Sequence, residues 1–202
     1  MRLQQTVATL APIALIAVMY PVFRLLTRRF GNKAAWYSGL VVYWIVWGFS
    51  FPLLLLGDRT VLDLLWPSRI DPRAVFLASI PVIFAAVGRL RFGIGYKKAA
   101  RWESFALLGA ALGNGVFEEV FWRGVSLHFF AGNLFLGIVW PSLWFGLWHY
   151  APSSVSGGNA NAITLMVGAV FLGLLLSLLA NLSGTIGWSI LAHTLAGIVM
   201  VL

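Results

Sequence analysis

The residues able to do chemistry in this chain are few and lie in its apolar C-terminal half. From residue 104 onward, Glu118, Glu119 and Arg123 are the only Asp, Glu, Lys or Arg residues, and the three histidines, His128, His149 and His193, fall in the same stretch. An ionisable group in mid-membrane costs at least ~2.5 kcal/mol on insertion scales, so it persists where it is paired or where it works. Glu119 and Arg123 are four residues apart, on one face of a helix, with the acid on the N-terminal side that an ion pair prefers. Glu118 is turned by about 100° from its neighbour on a 3.6-residue helix and can face elsewhere. Arg123 is therefore expected to neutralise Glu119, leaving Glu118 to accept a proton. The structural alternative has both acids pairing with Arg123 and only holding helices together.

These groups need apolar helices to carry them. The chain of 202 residues is 60% hydrophobic and 10% charged, with a mean hydropathy of +0.90. An ordinary soluble domain carries roughly 25% charged residues. So much apolar surface requires lipid cover, and the ten Trp and fifteen Phe suit membrane interfaces. The expected fold is all-α, a single-domain polytopic transmembrane bundle of about seven spans (six to eight). They are placed at residues 6–26, 34–57, 73–90, 104–130, 134–151, 161–180 and 185–202, since a crossing takes about 20 apolar residues. Residues 58–72 mix charges with Leu62, Leu64, Leu65 and Trp66 and read as an amphipathic surface piece. Residues 153–158 read as a Gly-rich loop. The first span is too long for a cleaved signal and is followed at once by Arg28 and Arg29.

The net charge of +8 does not point to nucleic acid, because the basic residues sit in short loops between spans. Arg24, Arg28, Arg29 and Lys33 form one group; Arg89, Arg91, Lys97, Lys98 and Arg101 form another. Both are expected in the cytoplasm, with the N-terminus and residues 58–71 outside. There is no cysteine, which excludes thiol catalysis and Cys-ligated metals.

Depth brings the polar groups together. If the fourth span turns at residues 131–133, Glu118 lies about 20 Å below the turn at 1.5 Å per residue, and His149 on the next span falls at the same level. His193, about 15 Å into the last span, joins them. His128 lies near the turn and is expected at the interface. Gly109 and Gly113 form a G-x-x-x-G pair, and Asn114-Gly115 comes one turn before Glu118. These small residues can bring helices close or loosen the helix beside the acids.

Three motifs follow in order: E-E-x-x-x-R at Glu118, Glu119 and Arg123; F-x-x-x-H at Phe145 and His149; and a final histidine, His193. Together with Phe121-Trp122-Arg123-Gly124 and Gly184-Thr185-Ile186-Gly187-Trp188 before Ala192-His193, they resemble the CPBP family, the CAAX-protease and bacteriocin-processing group also called Abi. The resemblance covers roughly residues 109–197. It implies a glutamate-dependent intramembrane endopeptidase without a metal, acting on a membrane-anchored peptide or protein in the cell (inner) membrane of a prokaryote. On this resemblance Glu118 and His149 would activate the attacking water and His193 would stabilise the oxyanion. The chain departs from the family where H-x-x-x-N is often found: His193 is followed four residues later by Gly197. Asn114, Ser189, Thr194 or a backbone N–H would have to replace the missing side chain.

Other chemistries are tested by what the sequence lacks. There is no H-E-x-x-H, and no Asp follows Asp71, which excludes a two-aspartate protease. Ser183 with His193 sketches a serine dyad without the usual glycine context. Zinc held by Glu118, His149 and His193 is a known kind of catalytic set and the main alternative to a metal-free site. A catalytically silent membrane scaffold of the same fold, favoured by Gly197, is the alternative function. A transporter using the cluster as a proton relay ranks below it, because no duplicated half is evident.

Overall fold

The computed structural model describes residues 2–66, 70–93, 101–155 and 162–202, with the side chains of Phe92 and Arg101 excepted. Lys97, Lys98 and residues 156–158 of the Gly-rich loop expected at 153–158 lie outside the described residues. Eight helices run through the described residues: α1 (Leu3–Phe30), α2 (Asn32–Leu56), α3 (Asp58–Leu65), α4 (Pro72–Phe92), α5 (101–130), α6 (134–153), α7 (Ala162–Ser183) and α8 (Gly187–Val201). α1, α2, α4 and α7 are long and apolar enough to cross a bilayer. The other three apolar helices that were expected as spans are present; α5 and α6 contain wide turns and α8 is 15 residues long. Leu54, Phe84 and Phe171, on the long apolar helices α2, α4 and α7, are 88%, 71% and 65% exposed, as suits faces turned to hydrocarbon. The chain is an integral membrane protein.

Turn chemistry sets the helix ends. Gly31, Gly57, Gly93, Gly132 and Gly184 have positive φ and separate consecutive helices or end them. Asp71 caps α4 by accepting from Arg73 N at 2.8 Å, with Pro72 in the first turn. Asn133 caps α6 by accepting from Leu136 N at 2.8 Å, and Gly132 N donates to Asn181 Oδ1 on α7 at 3.1 Å. The α5–α6 turn therefore falls where the sequence placed it.

α3 is the amphipathic piece: Val61 is buried while Asp58, Leu62 and Asp63 are exposed. Its Leu64 carbonyl accepts from Ile186 N at 2.8 Å and so braces the start of α8. Elsewhere, Lys33 beside the α1–α2 turn pairs with Glu103 at 2.7 Å and lies 4.5 Å over the Trp102 ring. That contact puts the first basic turn and the start of α5 together.

The core beside the site is aromatic. Phe23, Tyr43, Trp47, Phe121, Trp122, Phe145 and Trp148 are buried in one cluster contributed by α1, α2, α5 and α6. A second cluster of Ala74, Ala78, Leu176, Leu179 and Ala192 locks α4, α7 and α8 together. Small residues on α4 and α8 let these helices approach closely, the usual means of packing where lipid offers no hydrophobic drive.

Candidate active site

α5 is not a uniform helix. Residues Asn114–Glu118 and Val120–Gly124 are π-helical, with i→i+5 bonding that widens the turn on both sides of Glu119. The loosening expected from Asn114-Gly115 thus takes the form of two wide turns at the acids. Gly113 seats the Trp44 ring of α2, and Gly115 faces Thr194 of α8 so closely that a side chain there would collide with its hydroxyl. Gly109 has no such neighbour, so the G-x-x-x-G pair is not a two-point helix contact; only its second glycine admits another helix.

Glu118, Glu119 and Arg123 are 2%, 0% and 1% exposed, so none can rely on water for its charge. Arg123 Nη1 donates to Glu119 Oε1 at 2.9 Å, and the guanidinium carbon lies 4.3 Å above the Phe145 ring. The same Glu119 oxygen is 2.7 Å from His193 Nδ1. A carboxylate at that distance accepts, so Nδ1 carries a proton and Nε2 is the nitrogen left for other work. His193 Nε2 lies 3.8 Å from Glu118 Oε2, too far for a hydrogen bond. Glu118 Oε1 accepts from Trp148 Nε1 at 3.2 Å, and Oε2 has no partner among the described residues.

His149 arrives from α6. Its Nδ1 lies 2.7 Å from the Phe145 carbonyl, which can only accept, so Nδ1 carries a proton and Nε2 is left for other partners here too. The Phe145 ring meets His149 edge-on at 4.8 Å and His193 edge-on at 6.0 Å, under the Arg123 guanidinium. Phe145, fully buried, is thus the hub that sets both imidazoles and the arginine around one centre. His149 itself makes no direct hydrogen bond to Glu118; it is tied to that carboxylate through its neighbour Trp148.

Asn114 is half-buried, and its Oδ1 accepts from Trp44 Nε1 at 2.9 Å. His128 is exposed and stacks edge-on against Phe129, outside the cluster. Sequence reasoning missed the aromatic donors. Trp148 holds Glu118, and Tyr43 accepts from Trp122 Nε1 at 3.0 Å while packing 4.4 Å from the Trp148 ring. The available signal was Trp148 adjoining His149, because a buried indole N–H must find an acceptor.

Among the described residues, no three His, Asp or Glu side chains are arranged to hold a metal ion. What the arrangement can do without one is place a carboxylate oxygen and an imidazole nitrogen 3.8 Å apart. A water or a carbonyl oxygen can bond to both groups at once.

Residues 100–199 match the family model described as type II CAAX prenyl endopeptidase, Rce1-like. No curated protein and no solved structure matches the chain.

Proposed function

Because the chain belongs, over residues 100–199, to the Rce1-like family of type II CAAX prenyl endopeptidases, we propose that it is an intramembrane protease whose Glu118 is the general base. The family supports proteolysis of a membrane-anchored protein tail. The observation that carries the finer reading is the partnerless Glu118 Oε2, buried and facing His193 Nε2 across 3.8 Å.

In this reading a water hydrogen-bonds to Glu118 and to Nε2 of His149. Glu118 takes a proton as the water oxygen bonds to the scissile carbonyl carbon. The carbonyl oxygen becomes an oxyanion, stabilised by an N–H on His193 Nε2. Collapse breaks the C–N bond, and the proton held by Glu118 passes to the departing amine. For His193 to donate from Nε2 while Nδ1 faces Glu119, it must be an imidazolium. The charges then balance: two carboxylates against Arg123 and His193. Zero net charge suits a cluster so thoroughly buried, since each uncompensated charge would cost several kcal/mol.

Trp148 orients Glu118, Glu119 orients His193, and Phe145 sets the imidazoles. A pure scaffold needs Arg123 paired but does not need a buried carboxylate oxygen left without a partner among the described residues 3.8 Å from an imidazole nitrogen. The test is cleavage of a quenched fluorescent peptide ending in a prenylated CAAX tail by the purified protein in lipid–detergent micelles. Cleavage of that peptide and not of its unprenylated twin is expected. No cleavage of either, by folded protein, would favour the scaffold.

A further inference from the structure

Resting on that reading, we propose that Thr194 donates the second hydrogen bond to the oxyanion, the role for which Gly197 offers no side chain. The first observation concerns Gly197 itself. A Cβ built there would lie 3.1 Å from Ala111 Cβ on α5, two turns from the carboxylates. Position 197 therefore lies in the contact of α8 with α5, where a side chain would crowd Ala111 and the glycine eases the approach.

The remaining candidates separate by what their polar atoms already do. The Ser189 hydroxyl donates to the Leu176 carbonyl at 2.9 Å, which ties α8 to α7 and uses its only proton. Asn114 keeps its amide N–H donors, but its Oδ1 accepts from Trp44 Nε1, so the side chain is held toward α2 and not toward α8. Thr194 Oγ1 is buried and has no hydrogen-bond partner among the described residues. A buried hydroxyl left so forfeits the hydrogen bond it made in water, and such a cost persists where a ligand collects the bond.

Placement agrees. α8 runs antiparallel to α5 along this seam, with Gly197 on Ala111, Thr194 on Gly115 and His193 on Glu119. Thr194 follows His193 directly and sits over the π-helical segment that ends at Glu118. Gly115 is the residue that makes room for it, since any side chain there would push the hydroxyl out of the seam. His193 and Thr194, adjacent on α8, then both donate to the carbonyl oxygen as it acquires charge.

The experiment compares Thr194→Val, which keeps the shape and removes the donor, with Thr194→Ser, which keeps the donor, on the prenylated quenched peptide. Loss of one oxyanion donor lowers kcat by about 100-fold with KM unchanged, because the bond strengthens only in the transition state. Thr194→Ser should retain kcat within roughly tenfold of wild type, and melting temperatures in detergent should be similar for both. Thr194→Ala, which fits whatever the packing, reads the same loss should the valine variant fold poorly. Near-normal kcat in Thr194→Val, or an equal loss in the Ser and Val variants, overturns the assignment. A Glu118→Gln control keeps the two claims apart. If that variant is inactive while Thr194→Val is active, only the Thr194 role falls; if Glu118→Gln cleaves normally, the general-base reading falls.

Discussion

His193 Nδ1 lies 2.7 Å from Glu119 Oε1, the same oxygen that accepts from Arg123 Nη1 at 2.9 Å. One carboxylate oxygen thereby holds both a counter-charge on its own helix and the imidazole of a histidine 74 residues away. Glu119 is more than the partner of Arg123 that its spacing suggested.

That sharing makes the Glu119 and Arg123 variants informative together. Glu119→Gln leaves Arg123 uncompensated in a buried place, and a loss of about 3 kcal/mol in stability is expected. Adding Arg123→Met should recover part of the stability, as expected for a coupled pair. It should not recover cleavage, because the amide can accept from His193 Nδ1 but carries no charge to hold the imidazolium. Thermal melts and kcat on the same preparations check this; recovery of both together would reduce Glu119 to an ion-pair role.

Trp148 supplies a second check. Trp148→Phe keeps an aromatic ring against Tyr43 but removes the N–H that Glu118 Oε1 accepts at 3.2 Å. A hydrogen bond to a charged group is worth about 1.5–3 kcal/mol, so kcat should fall by at least about tenfold. An unchanged kcat would mean that Glu118 is oriented by other contacts.

Most of the helical architecture was legible from the chain because hydrocarbon demands long apolar runs, and Gly and Asn mark their ends at Gly31, Gly132 and Asn133. The E-E-x-x-x-R spacing likewise announced the Glu119–Arg123 contact, since i and i+4 share a helix face. Depth counting brought His193 level with Glu118, but spacing could not carry its contact with Glu119. The wide turns flanking Glu119 rotate the side chains away from a 3.6-residue count, so counting along a regular helix does not reach the face that His193 meets. The packing use of Gly197 was hidden for a related reason: it depends on Ala111, a residue with no chemical signal.

Topology is open to direct labelling, as the chain has no cysteine to interfere. Single cysteines at Arg29 and Arg91 should react only from the cytoplasmic side, and one at Arg59 only from outside. Lys33 beside Glu103 requires the α1–α2 turn and the start of α5 to share a side. Labelling of position 91 from outside only would overturn this orientation.

Metal dependence distinguishes the two water-activating chemistries. With Glu118 and His149 acting on water directly, strong chelators should leave cleavage intact and purified protein should lack stoichiometric zinc. One tightly bound zinc per chain, with activity lost on stripping and restored on addition, would replace the metal-free mechanism.

The central claim is that Glu118 is the base, and Glu118→Gln measures it most directly. The amide keeps the shape and can still accept from Trp148 Nε1, but it has neither the charge nor the basicity. The account predicts that kcat on the prenylated peptide is abolished while the melting temperature in detergent is unchanged or raised, because a buried charge is relieved. His149→Ala should likewise be folded and inactive. Near-normal cleavage by folded Glu118→Gln protein would contradict the account and leave the carboxylates as helix clamps.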